Sequence, residues 1–355
     1  MCVNTTVILN KKYLPTKKNG YNPPECPDEK FRHIEIPCGH CYECRKKKSR
    51  EWQIRLAEEL KYSTKTEFIT LTINNESIDK IANENEINIQ TADETMYNTG
   101  INKIATIAMR NFLENYRKEH SKSLRHWAVT ERGHENTERI HIHAITFDPI
   151  KPDYLKHWKY GFTYTGEYCD ISTINYIIKY MLKSDINNHY FIGKVLTSPG
   201  IGNKFTTSPK AGEHLFNKKK TNLAYRFQNG SKAVLPKYYK DKLYSEAERQ
   251  ELWSYTIDEN IKYIGGEKLK NYNDSSINAI KKFYQTKYAQ LYGDNRVEWN
   301  KVSMKRKAER QKQWAKLNNK QKKIKINSPR LNPPAFPERD EAEPRAPEAG
   351  GRSGA

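Results

Sequence analysis

No stretch of the 355-residue chain is apolar for long enough to cross a bilayer as a helix, which takes about 20 consecutive residues. The opening Met1-Cys2-Val3-Asn4-Thr5-Thr6 has neither the basic start nor the apolar core of a secretory signal, so a cytoplasmic setting with no membrane partner is expected. Apolar residues are scarce overall, at 36% with a mean hydropathy of −0.95, which limits the core. Acid is scarce relative to base. With 42 acidic against 62 basic side chains, the formal net charge is +20 and the sequence pI about 9.4. Such an excess does not dictate a fold, but it favours a polyanionic partner, nucleic acid first and an acidic membrane surface second. Cysteine is sparse too, and three of the six (Cys38, Cys41 and Cys44) fall within seven residues. A secreted disulfide scaffold spreads its cysteines through a short chain, so reduced thiols or a metal site are the better expectation.

The chain divides into four segments. Residues 1–50 carry turn signals and the cysteines and read as loops, ending in the basic run Arg45, Lys46, Lys47 and Lys48. Residues 51–190 hold the periodic elements. A helix runs through Leu60 with Trp52, Leu56 and Leu60 on one face. Thr66–Ile73 is an alternating strand, and 74–100 a polar loop with a short helix. Ile101–Glu119 is a helix, and Arg125–Glu131 and Ile140–Phe147 are two strands joined by a polar connection. Asp170 can cap a helix from Ile171 to Lys183. Residues 191–300 are rich in tyrosine and lysine and show no clear period. In 301–355, a basic helix-prone stretch to Lys325 is followed by a Pro-, Gly- and Glu-rich tail expected to be disordered. There is no internal repeat.

Two patterns carry chemistry. His141-Ile142-His143 lies in a strand, where alternate side chains share a face, so both imidazoles can reach one metal ion while Ile142 packs inward. Glu131, at the end of the preceding strand, is a candidate third ligand across the hairpin. Two imidazoles and a carboxylate leave coordination positions open for a phosphate and water. Taken alone, two histidines on a strand are equally at home as half-buried structural residues. The helix from Ile171 adds a second pattern. Ile171, Ile174, Ile178, Met181 and Leu182 form its apolar side, while Tyr176, Lys179, Tyr180 and Lys183 recur at spacings of three and four on another. A phenol is a weak nucleophile near neutral pH, with an ordinary pKa of about 10. A nearby cation that favours the phenolate and neutralises phosphate charge makes it competent. The plainer account is a solvated helix face.

Strand Phe68-Ile69-Thr70-Leu71-Thr72, then His-x-His, then Tyr-x-x-Lys-Tyr is an ordered set that resembles the HUH-type rolling-circle replication initiators. Within them it is most similar to the replication proteins of microviruses, single-stranded DNA phages of the gokushovirus-like branch. Pro37-Cys38-Gly39-His40-Cys41-Tyr42-Glu43-Cys44, Ser198-Pro199-Gly200-Ile201-Gly202 and Leu235-Pro236-Lys237-Tyr238-Tyr239-Lys240 extend the likeness over residues 35–245. The resemblance implies an α+β fold, an antiparallel sheet of about five strands with flanking helices, and a metal site on one sheet face. It implies His141, His143 and Glu131 as ligands of Mg²⁺ or Mn²⁺, although Glu135 and Glu138 lie in the same connection and offer the same chemistry. It implies Tyr176 and Tyr180 as paired nucleophiles, with Lys179 and Lys183 in support. Such a protein cuts single-stranded DNA at a viral origin and keeps the 5′ end as a phosphotyrosine. It leaves a 3′ hydroxyl to a host polymerase and helicase, and then rejoins the displaced strand in the bacterial cytoplasm.

The cysteines stand apart from this. Cys38, Cys41 and Cys44 have the spacing of structural zinc ligands, with Cys26, His33 or His40 as a fourth, and free thiols are the alternative. The adjacent Arg45–Lys48 run suits DNA phosphate. Three other functions fit parts of the sequence. One is a plasmid-mobilisation relaxase, in which the tyrosine usually precedes the histidines. Another is a non-catalytic basic protein that stacks bases on its tyrosines. The third is a zinc-dependent regulator built on the cysteines.

Overall fold

The computed structural model describes residues 2–89, 94–133, 139–150, 152–166, 169–182 and 191–292. The expected basic helix and tail of 301–355 lie outside these, as do Lys183, Glu135 and Glu138. Residues 1–304 form one compact unit.

Within that unit the elements are β1 (Thr6–Leu9), β2 (His33–Ile36), α1 (Tyr42–Leu60), β3 (Thr66–Thr72), α2 (Asn75–Glu84) and α3 (Glu94–His120). They continue with β4 (Arg125–Arg132), β5 (Ile140–Phe147), β6 (Thr163–Gly166), α4 (Ile171–Leu182) and β7 (Val195–Thr197). Last come β8 (Ala224–Arg226), β9 (Lys232–Val234), α5 (Lys237–Leu243), α6 (Glu246–Asp258), β10 (Ile261–Ile264), β11 (Glu267–Lys270) and α7 (Asp274–Tyr292). Five strands form the central sheet in the order β6-β3-β5-β4-β7, every pair antiparallel. The α+β architecture with about five antiparallel strands is therefore as expected. Three two-stranded ribbons, β1-β2, β8-β9 and β10-β11, lie outside the sheet.

Alternation along the strands gives the sheet two different faces. On one, Ile69, Leu71, Ala128, Ile140, Ile142 and Ala144 pack against Ile104, Ala105, Ala108, Met109 and Phe112 of α3. On the other, Trp127, Val129, Ile145 and Phe147 meet Leu56 of α1 and Ile174, Ile177, Ile178 and Met181 of α4. Residues paired across antiparallel strands share a face, so the second face also carries His141, His143 and Glu131. The α4 start is capped as expected, with the Asp170 carboxylate accepting from the Thr173 amide at 2.9 Å.

Several elements depart from the sequence reading. α1 begins at Tyr42, so Cys44 and the basic run lie inside a helix rather than in a loop. α3 begins at Glu94 instead of Ile101. The stretch read as loops before residue 50 contributes the β1-β2 ribbon. β7, from beyond residue 190, completes the central sheet. The two motifs around Gly202 and Tyr239 meet each other, as the Tyr239 hydroxyl donates to the Gly202 carbonyl at 2.9 Å.

Candidate active site

The register places the site side chains in two rows. Thr72, His141 and Glu131 stand opposite one another across β3, β5 and β4, and Thr70, His143 and Val129 form the next row. Each histidine is held through Nδ1 by the threonine across from it. The Thr70 hydroxyl lies 3.0 Å from Nδ1 of His143, and that of Thr72 lies 3.3 Å from Nδ1 of His141. A hydroxyl can donate or accept. The same bond therefore holds the ring when Nδ1 carries the proton and Nε2 presents its lone pair to a metal.

Glu131 reaches along the face to His143, where its carboxylate is 2.7 Å from Nε2. The two imidazole rings are stacked, with centroids 6.3 Å apart and planes 10° from parallel. Gly133 leaves room beside the second ring, since a Cβ there would stand 3.0 Å from Nε2 of His141. The three groups thus share one patch, with Glu131 closed onto His143 and His141 in the neighbouring row. Among the described residues, the His, Cys, Asp or Glu groups whose ligand atoms all lie within 4.8 Å of one another are elsewhere.

α4 brings both tyrosines to this patch. The Tyr180 ring stacks on the His143 ring with centroids 4.1 Å apart and planes 7° from parallel. The Tyr180 hydroxyl donates to the Tyr176 oxygen at 2.5 Å, with the rings edge to face. Phe68 of β3 lies against both His143 and Tyr176. The phenols are not equivalent. Burial first, then the bond to Tyr176 and the charge of Glu131, push the Tyr180 phenol well above its ordinary range. Tyr176 is 49% exposed and accepts that bond. Lys179 is exposed one turn from Tyr176.

The basic run after the cysteines is split. Arg45 is buried and donates to the Leu182 carbonyl at 2.7 Å, tying α1 to the end of α4. It is therefore a structural residue and not the phosphate contact expected of it. Lys46, Lys47 and Lys48 are exposed. A groove of about 410 Å³, lined by Arg50, Gln53, Lys61, Asn175 and Phe227 among others, runs alongside α1 and α4 next to Tyr176.

The cysteines form a second centre. Cys2, Cys38, Cys41 and Cys44 bring their sulfurs within 4.8 Å of one another in a buried cluster able to hold a structural metal. Cys26 is not part of it, and its thiol instead donates to the Asp28 carbonyl. The fourth thiol is Cys2, 36 residues before Cys38 and invisible to any local spacing rule. A third group, Glu119, His120 and His157, also satisfies the 4.8 Å test. There the Lys156 ammonium lies 2.8 Å from Glu119 and already supplies the positive charge.

Residues 66–185 match the family model of the replication-associated protein, ORF2 or gene II protein. This span, about a third of the chain, runs from β3 past α4 and so includes Thr70, Thr72, Glu131, both histidines and both tyrosines. It supports a replication-initiator role of the rolling-circle kind. No curated protein and no solved structure matches the chain. No described helix is long and apolar enough to cross a membrane.

Threonines 70 and 72 are the functional residues that sequence reasoning passed over. They were visible only as β-formers, and their role appears once the register sets them opposite the histidines.

Proposed function

We propose that the protein initiates replication by nicking single-stranded DNA through tyrosine attack, with His141, His143 and Glu131 holding Mg²⁺ or Mn²⁺. The observation that carries this reading is the stacking of Tyr180 on His143 at 4.1 Å, which sets the paired phenols over the histidine–carboxylate patch. The donor set suits such an ion: two imidazoles aimed by hydroxyls through Nδ1, and one carboxylate. When bound, the metal supplies Lewis-acid polarisation of the scissile phosphodiester.

The chain's own groups account for the remainder. Tyr176 is the better first nucleophile because it is exposed and its oxygen receives the Tyr180 hydrogen bond, which stabilises the phenolate. Its oxygen bonds to phosphorus as the P–O3′ bond breaks. The 3′ oxygen leaves to become a hydroxyl, and the 5′ phosphate stays on the tyrosine. Lys179, with Lys183 beyond Tyr180, offsets charge building on the phosphate oxygens. Tyr180 is then available for a second cleavage that releases and closes the old strand. Lys46–Lys48 and the groove beside Tyr176, with Phe227 as a stacking surface, suit the incoming strand. The freed 3′ end would pass to a host polymerase and helicase, and the segments outside 66–185 fit a microvirus protein in a bacterial cytoplasm. A relaxase is disfavoured by the order of histidines and tyrosines.

The decisive experiment incubates the protein with circular single-stranded DNA and Mn²⁺ and looks for a covalent adduct on a denaturing gel. Tyr176→Phe should slow nicking at least tenfold, Tyr180→Phe should allow nicking but block closure, and the double variant should form no adduct. An adduct in the double variant would assign the nucleophile to another residue.

A further inference from the structure

We infer that Cys2, Cys38, Cys41 and Cys44 bind one Zn²⁺ ion as four thiolates, and that this ion is the centre of a small module separate from the nicking site. The inference does not depend on the nicking chemistry.

The argument begins with distances. Four thiolates about 2.3 Å from one tetrahedral zinc place their sulfurs about 3.8 Å apart. Cys2 and Cys38 are separated by 3.5 Å, Cys2 and Cys41 by 3.7 Å, and Cys38 and Cys44 by 3.9 Å. An iron–sulfur cluster interposes several atoms between its cysteines and would need a wider cage. None of the four is in a disulfide.

The surroundings suit thiolates. Backbone amides of Asn4 and Cys38 donate to Cys2 at 3.3 Å, and those of His40 and Cys41 donate to Cys38 at 3.4 and 3.3 Å. Cys41 caps the start of α1 and Cys44 lies in its first turn, where the helix dipole favours negative charge. Without a cation, the neighbouring thiols, Cys2 first, push the Cys44 thiol far up. Four negative sulfurs at this spacing need a positive ion among them.

The centre also explains how the chain ends are organised. Val3 and three of the cysteines are buried with Ile264 of β10 and Ile277, Tyr284 and Tyr288 of α7. Gln285 donates to the Val3 carbonyl at 3.0 Å and Tyr288 to Glu43 at 2.6 Å. Thiols make up much of this apolar cluster, so the ion supplies cohesion that so small a core cannot.

The test uses the full chain purified without chelator. One zinc per chain is expected by elemental analysis, released stoichiometrically when the thiols are modified with a mercurial. Cobalt substitution should give the absorption of a tetrahedral tetrathiolate. Cys26→Ser/Cys169→Ser, which spares the cluster, should keep full zinc, and Cys2→Ser should lose at least half of it. Stripping the ion from wild type should raise hydrogen exchange in 261–292 while β3–β5 stay protected. If Cys2→Ser does not fold, the wild-type metal content and the double-serine cobalt spectrum still decide. A metal-free wild-type protein with four reactive thiols would overturn the proposal. So would bound iron, or zinc lost from Cys26→Ser/Cys169→Ser.

Discussion

At the scale of single residues, the threonines opposite the histidines decide whether the metal patch is pre-organised. Each makes one bond to an Nδ1 atom, and neither touches a DNA strand or a metal directly. Removing such an outer partner typically weakens metal affinity about 10- to 100-fold. Thr70→Val and Thr72→Val keep strand propensity and volume while deleting the hydroxyl. Each should weaken Mn²⁺ binding, measured by calorimetric titration, by about tenfold or more. The melting temperature should stay close to wild type, since the β-branched shape is retained. Unchanged affinity in the double valine variant would show that the threonines do not orient the histidines.

At the scale of elements, α1 is the member on which the rest converge. Leu56 faces the central sheet, and Ile54 faces a separate cluster with Phe205, Tyr225, Leu235 and Tyr239. Arg55 lies between the Trp52 and Tyr238 rings, 4.1 and 3.9 Å from their centroids. Near the helix end, Glu59 pairs with Arg125 and accepts the Gly202 amide at 2.6 Å. Gly202 has φ +73°, and a Cβ there would stand 2.6 Å from the Arg55 carbonyl oxygen. Gly202→Ala should therefore cost more than about 1 kcal/mol, read from the urea midpoint. A wild-type midpoint would mean that the turn relaxes freely.

The same elements show what sequence could and could not reveal. The β4–β5 hairpin and α4 were legible because alternation and the 3.6-residue period are local, and both survive in the structure. So was the company of His141, His143, Glu131 and the two tyrosines on one face. β6 and β7 were not, because strands of four and three residues carry too few alternations to stand out. Cys2 was missed because its partners lie 36 residues away and only the fold joins them. Arg45 was misread because a basic run looks uniform until α1 is wound, which turns one guanidinium inward and leaves three lysines out.

At the scale of the whole molecule, the charge is unevenly distributed along the chain. Residues 301–325 hold eleven lysines and arginines against Glu309 alone, a net charge equal to half of the +20 total. This stretch lies outside the 66–185 span that matches the replication-associated family, so any part it takes in DNA binding is through charge rather than through the site. Each phosphate neutralised releases counterion, and for single strands log K falls against log salt with a slope of about −0.7 per contact. If the segment contacts the backbone, removing residues 301–355 should flatten that slope and weaken binding most at low salt. Cleavage by the truncated protein at saturating DNA should stay within about twofold of wild type, because the transition-state groups all lie before residue 184. Binding can be followed by fluorescence anisotropy across a salt series on one labelled oligonucleotide. An unchanged slope would place the DNA-binding charge on the folded unit alone, with Lys46–Lys48 the first residues to test.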